Sequence, residues 1–135
     1  MSCKTPILRA IFDSPTLQSV AAGGVIALPN VTSNTKYLTA SDGTIAIRNP
    51  GTYKVSWNVT ATANAAGPVE VQLYRDGSPV PGSHAAATAA AAGNLVPMSA
   101  SALVTVECCG SEAIALRMAT AAGVRIANVA IEKID

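Results

Sequence analysis

From Thr52 to Ala61 the chain alternates without a break. Tyr53, Val55, Trp57, Val59 and Ala61 are apolar, and Thr52, Lys54, Ser56, Asn58 and Thr60 are polar. A period of two sends the two sets to opposite faces of a β-strand. The next run repeats the pattern. Val69, Val71 and Leu73 alternate with Glu70, Gln72 and Tyr74, and the run stops at Asp76-Gly77. Asp-Gly after alternation is the strongest local signal for a β-hairpin. Tyr53, Val55, Trp57, Val59, Val71 and Leu73 are therefore expected in the core. Ile131, with Ile126 or Val129, is expected beside them.

Weaker strands are expected at Ile7–Ile11, Val25–Leu28, Tyr37–Thr39, Thr44–Arg48, Val96–Glu107, Ala113–Met118 and Val124–Ile134. Turn pairs separate them: Gly23-Gly24, Asp42-Gly43, Pro50-Gly51, Pro81-Gly82 and Gly110-Ser111. Glycine supplies positive φ there, and proline fixes its own φ. Many short strands at this spacing point to an antiparallel sandwich or a closed barrel. No segment carries a sustained 3.6-residue apolar period. Ala85–Ala92, broken only by Thr88, has high helix propensity, so one short helix is an alternative there. A helix that short is marginal alone, and Pro81-Gly82 and Gly93 bracket it. An extended connection is the expectation. With 135 residues and no linker, residues 1–135 read as one domain.

Composition changes this picture in one respect. Half the residues are hydrophobic, yet only 4% are aromatic and 13% charged, where about 25% charge is usual. Between Asp76 and Glu107 there is no Asp, Glu, Lys or Arg at all. Monomers rarely expose large uncharged apolar surface, so part of this stretch is expected to lie against another subunit. Net charge is +1 and no basic run exists, which argues against a nucleic-acid partner. No apolar run approaches the roughly 18 residues of a membrane span. Met1–Ala10 contains Lys4, Pro6 and Arg9 and does not read as a signal peptide.

The residues offer little chemistry. His84 is the only histidine, so neither a catalytic triad nor a two-histidine metal site can be built within one chain. A three-fold axis could gather three copies, but an exposed loop histidine is the expectation. Cys3, Cys108 and Cys109 are an odd number and do not suggest a disulfide framework. Neighbours on a strand point to opposite faces, so Cys108 and Cys109 are expected as free thiols. Glu107 and Glu112 flank the following turn and are read as solvated charges in preference to a calcium pair. Asn30-Val31-Thr32 and Asn58-Val59-Thr60 match the N-glycosylation pattern by coincidence. The expectation is a protein with no catalytic residue, no metal and no cofactor.

Three segments carry a family resemblance. Asn49-Pro50-Gly51-Thr52-Tyr53-Lys54-Val55-Ser56-Trp57-Asn58-Val59 resembles the "PGxYxvsxxv" strand of the tumour-necrosis-factor and complement globular-head jelly rolls. Val69 to Val80 is similar to their following strand, and Ala127 to Ile134 to their closing one. The nearest resemblance is to small bacterial versions, including heads of spore-surface collagen-like proteins and phage-associated forms. It implies an all-β, two-sheet antiparallel jelly-roll sandwich of about ten strands, as a homotrimer.

Together these readings predict a non-catalytic structural or display module, a trimeric building block of a phage virion or bacterial surface. The alternative is a carbohydrate- or receptor-binding adhesin, with a surface glycan or protein as partner. The expected place is the exterior, reached without a classical signal peptide, or otherwise the cytoplasm. The subunit interface is expected from Ala85–Leu103 and from strand faces opposite the core. Its candidates are Ser56, Asn58, Ala87, Ala90, Leu95 and Met98.

Overall fold

The computed structural model describes residues 8–107 and 110–134. Cys3, Cys108 and Cys109, and the expectations attached to them, lie outside the described residues. Eleven strands are present among the described residues: β1 Arg9–Ser14, β2 Gln18–Val20, β3 Asn30–Ser33, β4 Leu38–Ser41, β5 Thr44–Ile47, β6 Gly51–Ala63, β7 Gly67–Arg75, β8 Ser78–Ala89, β9 Leu95–Val106, β10 Glu112–Met118 and β11 Ala122–Lys133. They form two antiparallel sheets. One runs β3-β1-β11-β6-β9, with β2 also on β11, and the other runs β4-β5-β10-β7-β8. This is the two-sheet jelly roll, and no helix occurs among the described residues.

The core lies between the sheets and follows the alternation. Tyr53, Val55, Trp57 and Val59 on β6 face Val71 and Leu73 on β7, with Val129 and Ile131 of β11 beside them, all buried. Ile126 points outward, because the β6–β11 register shifts between Val124 and Ile126. That bulge flips the parity of β11, so Val129 takes the inward place.

Both Asp-Gly pairs make two-residue hairpins. Ser41 pairs with Thr44 and Arg75 with Ser78. Asp42, Gly43, Asp76 and Gly77 have φ of 52°, 86°, 48° and 84°, the two positive values that a type I′ turn needs.

Two expectations need correction, and strand β3 is unexpected. Ala85–Ala89 is neither helix nor connection but the second half of β8, paired residue for residue with Gly67–Val71. Pairing with β7 along one side of this edge strand, together with inward packing of Ala85, Ala87 and Ala89, outweighs the intrinsic helix propensity of alanine. Val25–Leu28 makes only an isolated bridge from Val25 to Arg117, although Ile26 and Leu28 are buried. In contrast, Asn30–Ser33 forms β3 with all four residues exposed. A strand without an inward face leaves no alternation to read.

Asn49 takes two side-chain hydrogen bonds from this end of the sheet, one from buried Tyr53 and one from half-buried Lys133. The Tyr53 hydroxyl donates to Asn49 O at 2.7 Å, and Lys133 Nζ donates to Asn49 Oδ1 at 2.9 Å. Burial pushes the Tyr53 phenol pKa up. The network ties the loop before β6 to the end of β11.

Candidate functional site

The outer face of the six-stranded sheet can be read row by row from its register. Arg9, Glu132, Lys54 and Leu103 lie side by side across β1, β11, β6 and β9. The next row is Ile11, Ala130, Ser56 and Ser101. The third is Asp13, Asn128, Asn58 and Ser99, in which Asn58 Nδ2 donates to Asn128 Oδ1 at 3.2 Å. Thr60 and Pro97 follow, with Ile126 opposite Thr60.

The centre of this face is thus flat, small and uncharged. Its charges sit at the margins: Asp13 at the β1 side of the third row, and Arg9, Glu132 and Lys54 at one end, where Arg9 Nε is 3.9 Å from Glu132 Oε2 and both side chains are more than half exposed. A pair so open to water contributes little. Its exposed apolar residues sit mainly at the two sides, with Ile126 of β11 beyond the third row. Leu95 and Leu103 on β9 are 58% and 61% exposed, and Ile11 on β1 is 52% exposed. Ile11 stands between two shallow grooves. One, of about 360 Å³, runs along Thr32, Ser33 and Asn34. The other, of about 290 Å³, runs along Lys54, Ser56 and Ala130.

The six residues expected at an interface do not all meet here. Ser56 and Asn58 are on this face, and Leu95 lies at its β9 side. Met98 is directed the other way and is only 6% exposed, so the protomer's own core takes it up. Ala87 belongs to the other sheet and packs against the core. Ala90 is exposed in the turn after β8. Of the other residues on this face, Ser99, Ser101 and Leu103 fall within the expected Ala85–Leu103 stretch without being named, and Ile11 and Ala130 were not singled out. Ala130 carries no signal beyond being the small outward neighbour of buried Val129 and Ile131.

The groups considered for chemistry are accounted for. His84 Nε2 lies 3.0 Å from Glu70 Oε1 on the outer face of the other sheet. Glu112 lies against Asp76, whose Oδ1 accepts from Ala113 N at 3.0 Å, and Arg75 Nε is 3.6 Å from Glu112 Oε2. Hydrogen bonding between the two carboxyls holds the Asp76 pKa below its ordinary range and raises that of Glu112. Glu112 is therefore paired with Asp76, not with Glu107. Among the described residues no group of three His, Cys, Asp or Glu side chains is placed to hold a metal.

Comparison with known proteins agrees with this architecture. Residues 13–135 match the family model described as BclA C-terminal domain. No curated protein matches the sequence. Solved structures share the fold at low identity. The globular domain of zebrafish complement 1qA protein is 11% identical, covers 96% of this chain and 97% of its own, and has a TM-score of 0.67. Eiger TNF from S. frugiperda is 13% identical, with 97% and 94% coverage and a TM-score of 0.74. Murine APRIL is 10% identical, with 96% and 100% coverage and a TM-score of 0.75.

Proposed function

The chain belongs to the BclA C-terminal domain family, and from that premise we propose that it is a non-catalytic head that assembles as a homotrimer on the outside of a bacterial particle, spore or virion. The supporting observation is the outer face of the six-stranded sheet. A solvated strand face normally mixes charges among its residues. This one is lined at its centre by Ala130, Ser56, Ser101, Ser99 and Asn58, which let two backbones approach closely.

The placement of the apolar residues favours a ring. Leu95 and Leu103 lie on β9 at one side of the face, and Ile11 of β1 at the other. A contact between two different patches is heterologous, and it closes only as a cyclic assembly. A three-fold ring satisfies both sides at once and gives the head a single outward surface. The chain acts as one jelly-roll unit in this reading, with itself as partner and no cofactor.

Light scattering coupled to size exclusion tests the proposal. The expected mass is three times the 13.6 kDa of the chain. A mass of one chain at micromolar concentration overturns it. A mass of two chains overturns the three-fold ring while leaving self-association.

A further inference from the structure

The outer face of the five-stranded sheet is mostly a floor of small residues. Ala46 on β5, Ala113 and Ala115 on β10, and Ala86 on β8 occupy its outward positions, alternating with the buried Ile45, Ile114, Leu116 and Ala89. Five larger polar side chains interrupt that floor, and they are neighbours. Arg117, Gln72 and His84 form one row across β10, β7 and β8. Tyr74 and Glu70 flank Gln72 along β7.

Their arrangement is ordered. The Arg117 guanidinium lies over the Tyr74 ring, 5.1 Å from its centroid. The Arg117 Nε is buried and has no hydrogen-bond partner, and no carboxylate among the described residues pairs with this cation. His84 and Glu70, by contrast, hold each other at 3.0 Å. The site therefore offers a planar cation, fixed in direction by an aromatic ring, at one end. At the other end it offers an imidazole–carboxylate pair, with the Gln72 amide between. Adjacent strands are about 4.8 Å apart, so the two ends lie about 10 Å apart at the backbone, a span that one or two sugar rings bridge.

We propose that this face binds an acidic sugar, with its carboxylate on Arg117 and its hydroxyls on Gln72, His84 and Glu70. A guanidinium fork matches a carboxylate with two parallel hydrogen bonds. The mixed donors and acceptors of His84–Glu70 and Gln72 suit hydroxyl groups, which both give and accept. The alanine floor lets a flat ring approach the sheet without a clash. The site lies on the sheet opposite the face assigned to self-association, so it does not depend on that assignment.

The test is a titration of the assembled ¹⁵N-labelled protein with glucuronate, with glucose and with sodium sulfate, read by amide chemical shifts. Glucuronate is expected to shift the amides of Tyr74, Arg117 and His84, with glucose and sulfate binding at least about tenfold more weakly, the factor expected for losing one charged hydrogen-bonded contact. Arg117→Gln is expected to lose that selectivity. His84→Ala, at an exposed position, is expected to weaken glucuronate several-fold with the melting temperature unchanged. Equal saturation by sulfate, equal saturation by glucose, or no shift at these three residues overturns the proposal.

Discussion

The indole Nε1 of Trp57 donates a hydrogen bond of 3.1 Å to the carbonyl oxygen of Ser83. The bond crosses the sandwich from β6 to β8 and is fully buried. It meets β8 where the strand breaks register. Gln72 pairs with His84 but Tyr74 pairs with Pro79, so residues 80–83 bulge opposite Leu73. The Ser83 hydroxyl donates back to Val80 O at 2.6 Å, with Leu73 O also in reach. Trp57 thus fills the core and satisfies a carbonyl that the bulge removes from the ladder.

Two substitutions separate those roles. Trp57→Ala removes a large buried ring and is expected to cost about 3–5 kcal/mol. Trp57→Phe keeps most of the ring but leaves Ser83 O without its donor, a loss of about 1–3 kcal/mol. Urea unfolding measures both, and an unchanged midpoint for Trp57→Ala would contradict its place in the core.

The two hairpin glycines should differ although both have positive φ. A Cβ at Gly77 would meet nothing within 4 Å. Gly77→Ala then carries only the left-handed backbone penalty, about 1–2 kcal/mol. A Cβ at Gly43 would overlap the Ile26 carbonyl oxygen, which is backbone and cannot swing aside. Gly43→Ala is expected to lower the melting temperature clearly more than Gly77→Ala does.

Assembly is predicted to fail when charge enters the uncharged face. Ser56→Arg and Leu103→Asp are each expected to give a species of 13.6 kDa by light scattering, since unmatched charges in a contact cost several kcal/mol. Thr88→Arg, exposed on the other sheet, should leave the assembly intact. An unchanged mass for both face variants would remove this face from the interface.

The carboxyl pair sets a pH dependence. Glu112 has its pKa raised by Asp76, so its protonated form is favoured in the fold. That contribution is complete below the ordinary glutamate value of about 4.3 and is lost as pH rises through the raised folded value. Asp76 is lowered, so its contribution is present above its ordinary value of about 3.9 and is lost only as pH falls through the lowered one. Glu112→Gln retains a donor for Asp76 without the second charge. Its melting temperature relative to wild type should therefore be more favourable at pH 7 than at pH 4. Arg75, 3.6 Å from Glu112, opposes the effect, but the Asp76 hydrogen bond is the larger influence on Glu112. A difference independent of pH would show that the two carboxyls do not share a proton.

The strand alternation of Thr52–Ala61 and Val69–Tyr74, and both Asp-Gly turns, were determined by sequence alone. In each case the pattern is local: side chains alternate every residue, and two positive φ values fall on adjacent positions. From these the all-β class and the inward set Tyr53, Val55, Trp57, Val59, Val71 and Leu73 follow. What the tertiary structure decided was every choice between local equals. Ala85–Ala89 could extend or coil, and pairing with β7 made it a strand. Asn30–Ser33 has no apolar face, and only its ladder to β1 makes it one. Met98 and Leu103 are both apolar residues of one uncharged stretch, yet one is in the core and the other in the open, because their separation is odd and the pleat sends them to opposite sides. The Trp57–Ser83 bond and the row from Arg117 to His84 join residues far apart in sequence. Such groups meet only through the order and register of the strands, and the cost of closing those long loops is met by the core as a whole, so no local signal announces them.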